Sequence, residues 1–378
     1  MINISKLYCG MAGESDHLRY SATNPSGPVM VYNCTSRCNL RCIHCYSSSG
    51  ATCSDNELDT AEAKKLLKEF AQYNCPVVLF SGGEPLLRED LFELLGEAKQ
   101  LGLRSVISTN GTLINAAFAE KLAGCNVAYV GISMDGTEQF HDRFRKVDGS
   151  FKSAVNGIEN CKNAGLKTEL RFTITKQNES EIPAIFEIAA STGVRRICFY
   201  HLIRAGRAKV FEGQVRRVID TIIKRTDNFV RGWLLDEVLT VDNHADGPYL
   251  LLKLMRENGD KFEAAKKLLL INGGNKTGEK IGCVGWDGSV YPDQFWRNYS
   301  LGNVREKSFK KIWENDKDPV MNKLRHKNTF ADCRCLKCKW FDLCKGNYRF
   351  LDTDPGEQNW VNEPACYLTD EEIGISGN

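Results

Sequence analysis

The strongest constraint on the fold of this chain is a sixfold alternation of short apolar runs with amphipathic segments, from residue 28 to about 203. The runs read "PVMVYN", "PVVLFSGG", "SVISTNG", "VAYVGISMDG", "TELRFTIT" and "RICFYHLI". Near-continuous apolar runs suit strands buried on both faces, and hence a parallel sheet covered by helices. Between them, "DTAEAKKLLKEFAQY" and "SFKSAVNGIENCKNAGL" carry helical periodicity, the second stopping at Gly165. Six strand–helix units fall short of a closed barrel, so an α/β fold with a curved, partial (β/α)6 barrel is expected. The motifs "SGGEP", "STNG" and "SMDG" stand at the C-terminal ends of three runs. That is where parallel β/α architectures place their chemistry.

At 378 residues the chain exceeds one small core, which predicts more than one domain. The expected division is an extension over 1–27, the barrel over 28–210, a helical connecting region over 211–280 and a cysteine-rich domain over 281–378. A formal net charge of +2 gives no argument for a nucleic-acid or acidic-membrane partner. No apolar run approaches the ~18 residues of a membrane span, and no signal-peptide pattern opens the sequence. The expectation is a cytoplasmic protein. Sixteen cysteines without a secretion signal read as metal ligands and buried thiols rather than disulfides, and suit anaerobic or strongly reducing conditions.

Two groups of thiols stand out. Cys38, Cys42 and Cys45 lie at C-x3-C-x2-C spacing in "SRCNLRCIHCYSSSG", directly after the first strand. Three thiolates hold three corners of a [4Fe–4S] cube and leave one iron open to a small chelating ligand. The bland alternative is a zinc knot, for which His44 is the nearby fourth ligand. Further on, Cys335, Cys338, Cys344 and Cys366 offer four thiolates, enough to saturate a cube or a structural zinc. Cys333 in place of Cys335 would give a wider gap.

With "SGGEP" in register behind it, the first cysteine motif resembles that of the radical S-adenosylmethionine (SAM) superfamily. The resemblance implies SAM on the open iron, with Gly82 and Gly83 admitting backbone close to the methionine moiety and Glu84 accepting from its ammonium. Ser108 and Asn110 would lie near the SAM ribose and carboxylate, and Ser133, Asp135 and Arg145 are further SAM-binding candidates. The second motif resembles one auxiliary-cluster ligand set of the SPASM subfamily. A second auxiliary cluster lacks its ligands: Gly302 lies too far from Cys283, Lys307 stands where a cysteine belongs, and so does Tyr348. The resemblance therefore implies two [4Fe–4S] clusters in all, one binding SAM and one auxiliary, the latter in a small C-terminal SPASM-like domain.

The stretches "FYHLIRAGRA", "LTVDNHADGPYL", "DGSVYPDQFWRNYSLGNVRE" and "PACYLTDEEI" resemble the tetrapyrrole-modifying branch, and the opening "MINISKLYCG" its AhbC type. This implies loss of two acetate side chains from 12,18-didecarboxysiroheme, giving iron-coproporphyrin III in the alternative heme pathway. A low-potential donor such as ferredoxin or flavodoxin would supply electrons. The alternatives are NirJ-type removal of propionates in heme d1 synthesis, a peptide-modifying maturase, and a non-catalytic metal scaffold. For a flat iron macrocycle edged with carboxylates, Arg204 and Arg207 are candidate partners, as is Arg297. Phe295 and Trp296 offer either an apolar wall or domain packing. His244, flanked by Asp242 and Asp246, is a candidate iron ligand or proton donor.

Overall fold

The computed structural model describes residues 1–11, 27–208, 214–327, 334–347 and 365–375. Its strands are β1 (Ile2–Asn3), β2 (Val29–Thr35), β3 (Val77–Gly82), β4 (Arg104–Thr109), β5 (Val130–Ser133), β6 (Thr168–Ile174), β7 (Arg196–His201), β8 (Glu237–Val241), β9 (Ile281–Val284), β10 (Ser289–Tyr291) and β11 (Gly302–Asn303). Strands β2 to β7 are the six expected runs. All eleven belong to one sheet, ordered β1-β8-β7-β6-β5-β4-β3-β2-β9-β10-β11. Pairing is parallel from β8 through to β9, and antiparallel only at β1 and at β10 and β11. The sheet does not close on itself, so the barrel is partial.

Two parallel strands extend the expected six. β8 lies within the stretch read as mostly helical, between helices Val215–Arg231 and Asp246–Glu257. β9 belongs to the cysteine-rich segment yet pairs with β2, Val31 opposite Cys283. The C-terminal unit is thereby joined to the barrel through backbone hydrogen bonds. A small apolar cluster of Val31, Cys283, Tyr291, Trp296, Val320 and Leu324 fills that joint.

Helices cover the outer face. Thr60–Gln72 starts on a capping box, Asp59 and Glu62 satisfying each other's backbone N–H groups. Helix Ser150–Asn163 ends just before Gly165, whose φ of 73° stops it as the sequence suggests. Because side chains alternate along a strand, Met30, Tyr32, Phe80, Ile107, Ile132, Phe172 and Phe199 face these helices and form the core. Residues of opposite parity (Val29, Val31, Val77, Leu79, Val106, Arg171 and Tyr200) line an inner lumen of about 220 Å³. Val241 at the end of β8, His244 beyond it, Thr277 just before β9 and Ile281 at its start line the same lumen. The curled sheet thus brings both flanks of its unclosed side to one space. Among the described residues no helix is long and apolar enough to cross a membrane.

Candidate active site and auxiliary cysteine site

The loop after β2 carries Cys38, Cys42 and Cys45, and it is held from three sides. Its ends are drawn together by the Cys38 N–H, which donates to the Gly50 carbonyl at 2.6 Å. From outside, Glu57 Oε1 accepts from the Ser36 N–H at 2.6 Å, the Ser36 hydroxyl at 2.7 Å and the Thr35 hydroxyl at 3.1 Å. From the loop after β7, Arg207 donates through Nε to the Cys42 carbonyl and through Nη1 to the Ser49 carbonyl, both at 2.9 Å. Its backbone N–H donates to the Cys45 carbonyl. Gly206 lies so close to the Cys45 and Tyr46 carbonyls that a Cβ there would overlap them. The structure therefore engages Arg207 as a brace of the cysteine loop, and its guanidinium is not directed to the lumen. Glu57 and Gly206 were not singled out from sequence, since neither belongs to a cysteine motif.

The three thiols are only partly exposed. Burial pushes the Cys38 thiol up to about 12 and raises Cys42, the latter against the pull of the Arg145 guanidinium. Such thiols deprotonate on meeting a cation, and iron supplies that charge. Cys38 Sγ accepts from the Leu40 N–H at 3.4 Å, and Ser47 Oγ lies 3.2 Å from Cys45 Sγ. Hydrogen bonds of this type suit thiolate ligands of an iron–sulfur cluster. Tyr46 folds back to donate to Asn33 Oδ1 at 2.8 Å and packs edge-on against Phe295.

Beside the loop, the "GGE" turn docks on its backbone. The Gly83 N–H donates to the Thr35 carbonyl and the Glu84 N–H to the Arg37 carbonyl, each at 2.7 Å. Gly82, at φ 127°, and Gly83 both sit where a Cβ would strike that backbone. Glu84 is fully buried. Its carboxylate accepts from the Thr109 hydroxyl at 2.6 Å, the Asn110 N–H at 2.8 Å and the Leu86 N–H at 3.2 Å. Burial still raises its pKa. Asn110 bridges to the cysteine loop through Asn39 at 2.9 Å. Ser108 and Ser133 lie at the ends of β4 and β5.

Asp135 and Arg145 are engaged with each other. Arg145 Nε and Nη2 lie 2.8 and 2.6 Å from Asp135 Oδ2, in a pair almost wholly out of solvent. The Arg145 guanidinium holds the Asp135 carboxyl below its usual range despite burial. This pair forms the bed of the cysteine loop, whose Arg41 and Ile43 N–H groups donate to the Arg145 and Phe144 carbonyls. His44 stacks on Phe144 with ring centroids 4.6 Å apart, and burial lowers its pKa to about 4. It is packed as a neutral ring.

The structure brings the second cysteine set to one place. Cys335, Cys338, Cys344 and Cys366 line one small cavity whose remaining wall is mostly apolar, including Ala245, Pro248, Phe341, Leu368 and Ile373. Arg334 Nη1 lies 3.4 Å from Cys366 Sγ, and the Trp340 N–H donates to Cys338 Sγ at 3.4 Å. Four thiols around an apolar space fit a fully ligated metal group. Cys333 and Tyr348 lie outside the described residues. Cys283 does not line this cavity; it is buried against Asn33 in the barrel joint, against whose apolar cluster Cys335 packs.

The loop after β8 connects lumen and auxiliary site. Asn347 Oδ1 accepts from the His244 N–H at 2.8 Å and lies 3.1 Å from His244 Nδ1, while its Nδ2 donates to Asn243. His244 and Asp242 line the lumen. Asp246 turns away to His201 Nε2 at 2.8 Å and the Tyr367 hydroxyl at 2.7 Å, so it does not orient His244. Trp296 is buried in the joint and offers no open wall, and Arg297 stacks on Trp286 at 4.2 Å. Arg204 is exposed.

Residues 32–189 match the model of the radical SAM superfamily, and residues 277–339 that of the SPASM iron–sulfur cluster-binding domain. A Methanosarcina barkeri protein named Fe-coproporphyrin III synthase is 46% identical, with 99% of each chain covered. Pre-heme d1 synthase of Dinoroseobacter shibae is 36% identical over 92% of this chain and 88% of that protein. Among solved structures, Streptococcus suis SuiB bound to S-adenosylmethionine superposes with a TM-score of 0.70 at 17% identity, covering 91% of this chain and 78% of SuiB. A structure of anSMEcpe with bound AdoMet gives 0.66 at 20% identity, covering 92% and 95%. These two establish likeness of fold. With the cysteine loop at the head of a parallel sheet and full-length identity to such relatives, the chain belongs to the radical SAM superfamily, whose enzymes work with S-adenosylmethionine and iron–sulfur clusters, in the branch bearing a SPASM domain.

Proposed function

We propose that this enzyme removes the two acetate side chains of 12,18-didecarboxysiroheme to give iron-coproporphyrin III in the alternative heme pathway. The observation that carries this reading is the 46% identity to Fe-coproporphyrin III synthase along the whole chain. A SAM-bound, reduced iron–sulfur cluster supplies a carbon-centred radical able to take hydrogen from an unactivated side chain. The chain's own residues do the rest. Cys38, Cys42 and Cys45 hold three irons and leave the fourth for SAM. Gly82 and Gly83 keep the "GGE" turn free of side chains, Glu84 fixes it to the end of β4, and Ser108, Asn110 and Ser133 offer polar groups to SAM from the strand ends. Cys335, Cys338, Cys344 and Cys366 hold one auxiliary [4Fe–4S] cluster, making two in all. His244, oriented by Asn347, meets the macrocycle from the lumen side as iron ligand or proton donor. A ferredoxin- or flavodoxin-type donor provides the electron.

The test is an anaerobic turnover with reconstituted protein, SAM, a low-potential reductant and 12,18-didecarboxysiroheme, followed by chromatography with mass detection. Iron-coproporphyrin III formed together with 5′-deoxyadenosine is the expected result. Loss of propionates moves the enzyme to the pre-heme d1 type, and 5′-deoxyadenosine with an untouched macrocycle overturns the substrate.

A further inference from the structure

The lumen wall is not uniformly apolar. Arg171, on β6, is buried with its guanidinium lying over Gly131 of β5, where any Cβ would overlap Nε, Cζ and Nη2. Its Nε donates to Glu169 Oε1 at 2.9 Å. Glu169 Oε2 in turn lies 2.7 Å from Arg196 Nε, which is 2.9 Å from Glu237 Oε2, an ionic chain along β6, β7 and β8. This chain clamps one edge of the Arg171 fork. Neither Nη atom has a hydrogen-bond partner among the described residues, and Arg171 lines the lumen together with Val31, Leu79 and Val106. A buried guanidinium held by one edge, with its other donors facing a cavity, is incomplete until an acceptor arrives.

We propose that Arg171 is the carboxylate anchor of the substrate. Its Nη1 and Nη2 pair with one carboxylate of the macrocycle, and Gly131 is glycine so that the guanidinium can lie flat there. The inference rests on the tetrapyrrole reading given above. A bidentate arginine–carboxylate pair has the geometry to fix rotation as well as position. The lumen, at about 220 Å³, is smaller than the roughly 300–1,000 Å³ of sites that enclose a whole drug-sized ligand. It therefore takes one edge of the ring system, and the remainder extends through the unclosed side between β8 and β9. The acidic Asp242 and Asp293 border that side of the lumen and repel carboxylates; of the two arginines that line it, Arg104 sits at the exposed start of β4, and Arg171 is the buried one toward which the substrate's acid groups turn.

The experiment is an anaerobic absorbance titration of the holoenzyme with iron-coproporphyrin III and, separately, with its methyl ester. Arg171→Gln is expected to weaken binding of the free acid about 10- to 100-fold and to leave binding of the ester unchanged. R171K should fall between. The double change Arg171→Met with Glu169→Gln removes both charges and guards against misfolding from an orphaned carboxylate; it should bind the acid as weakly as R171Q. If wild type binds the acid and R171Q binds it equally well, or if the mutation weakens acid and ester alike, the anchor is overturned while the substrate class stands. If wild type binds neither macrocycle, the tetrapyrrole reading itself fails and the anchor falls with it.

Discussion

The two cysteine sites of this protein are built on opposite plans. The loop of Cys38, Cys42 and Cys45 is polar and backbone-rich, braced by Glu57 and Arg207 and lying on the Asp135–Arg145 pair. The cavity of Cys335, Cys338, Cys344 and Cys366 is walled mainly by apolar side chains. With three ligands, as proposed for the first site, one coordination position must stay accessible, so rigidity has to come from hydrogen bonds outside the site. Four ligands complete the shell, and an apolar wall then excludes competing water and ligands. Ligand count thus sets the style of the surroundings, as it does in catalytic and structural zinc sites.

Breaking the first site should have the largest effect. Cys42→Ala should reduce 5′-deoxyadenosine formation to background in a reduced, SAM-saturated assay; residual turnover above a reagent blank would contradict the assigned ligand set. Glu84→Ala comes next, because it strands three buried donors at a cost of about 1–3 kcal/mol. A lower Tm and at least tenfold weaker SAM binding by calorimetry are expected. Cys344→Ser probes the second site: iron content should drop by roughly half while substrate-free SAM cleavage persists. Loss of that cleavage would show that the two sites are not separable.

A finer distinction concerns Arg207. If it braces the loop, Arg207→Met should lower iron retention at the first site after gel filtration and leave macrocycle affinity unchanged. The smallest effect is one of pH. Burial holds His141 neutral, with its pKa depressed to about 3 from the usual 6.5. The unfolded chain then binds a proton that the folded chain refuses, so stability is full above pH 6.5 and falls as pH drops toward 3. The slope from this group is at most about 1.4 kcal/mol per pH unit. Tm measured between pH 7.5 and 5 should fall, and His141→Gln should flatten that fall.

What the sequence disclosed follows the strength of its signals. β2 to β7 are long, nearly unbroken apolar runs, and the cysteine motifs have rigid spacing, so both stand out. "EVLTV" of β8 is short and set between strongly amphipathic helices, and β9 pairs with a strand some 250 residues earlier, a contact no local pattern contains. Asp135, Arg145 and Arg207 were legible as polar groups near the site, but their partners were not: each satisfies protein groups brought close only by the fold. Arg171 and Glu169 were hidden inside "TELRFTIT", where the apolar neighbours dominate and only the i, i+2 spacing hints that two charges share the inner face.

The ends of the sheet have a consequence for how this protein behaves in solution. A broad open sheet presents two margins of unpaired backbone, each a template for pairing with another copy. Here both margins are short, antiparallel and two residues long: Ile2–Asn3 at one end and Gly302–Asn303 at the other. A two-residue strand offers too few hydrogen bonds to recruit a neighbour, so the terminal strands act as stops against edge-to-edge aggregation. Trimming Ile2–Asn3 would uncover the five-residue β8, and aggregation of the apoprotein would be expected to rise before any loss of catalysis.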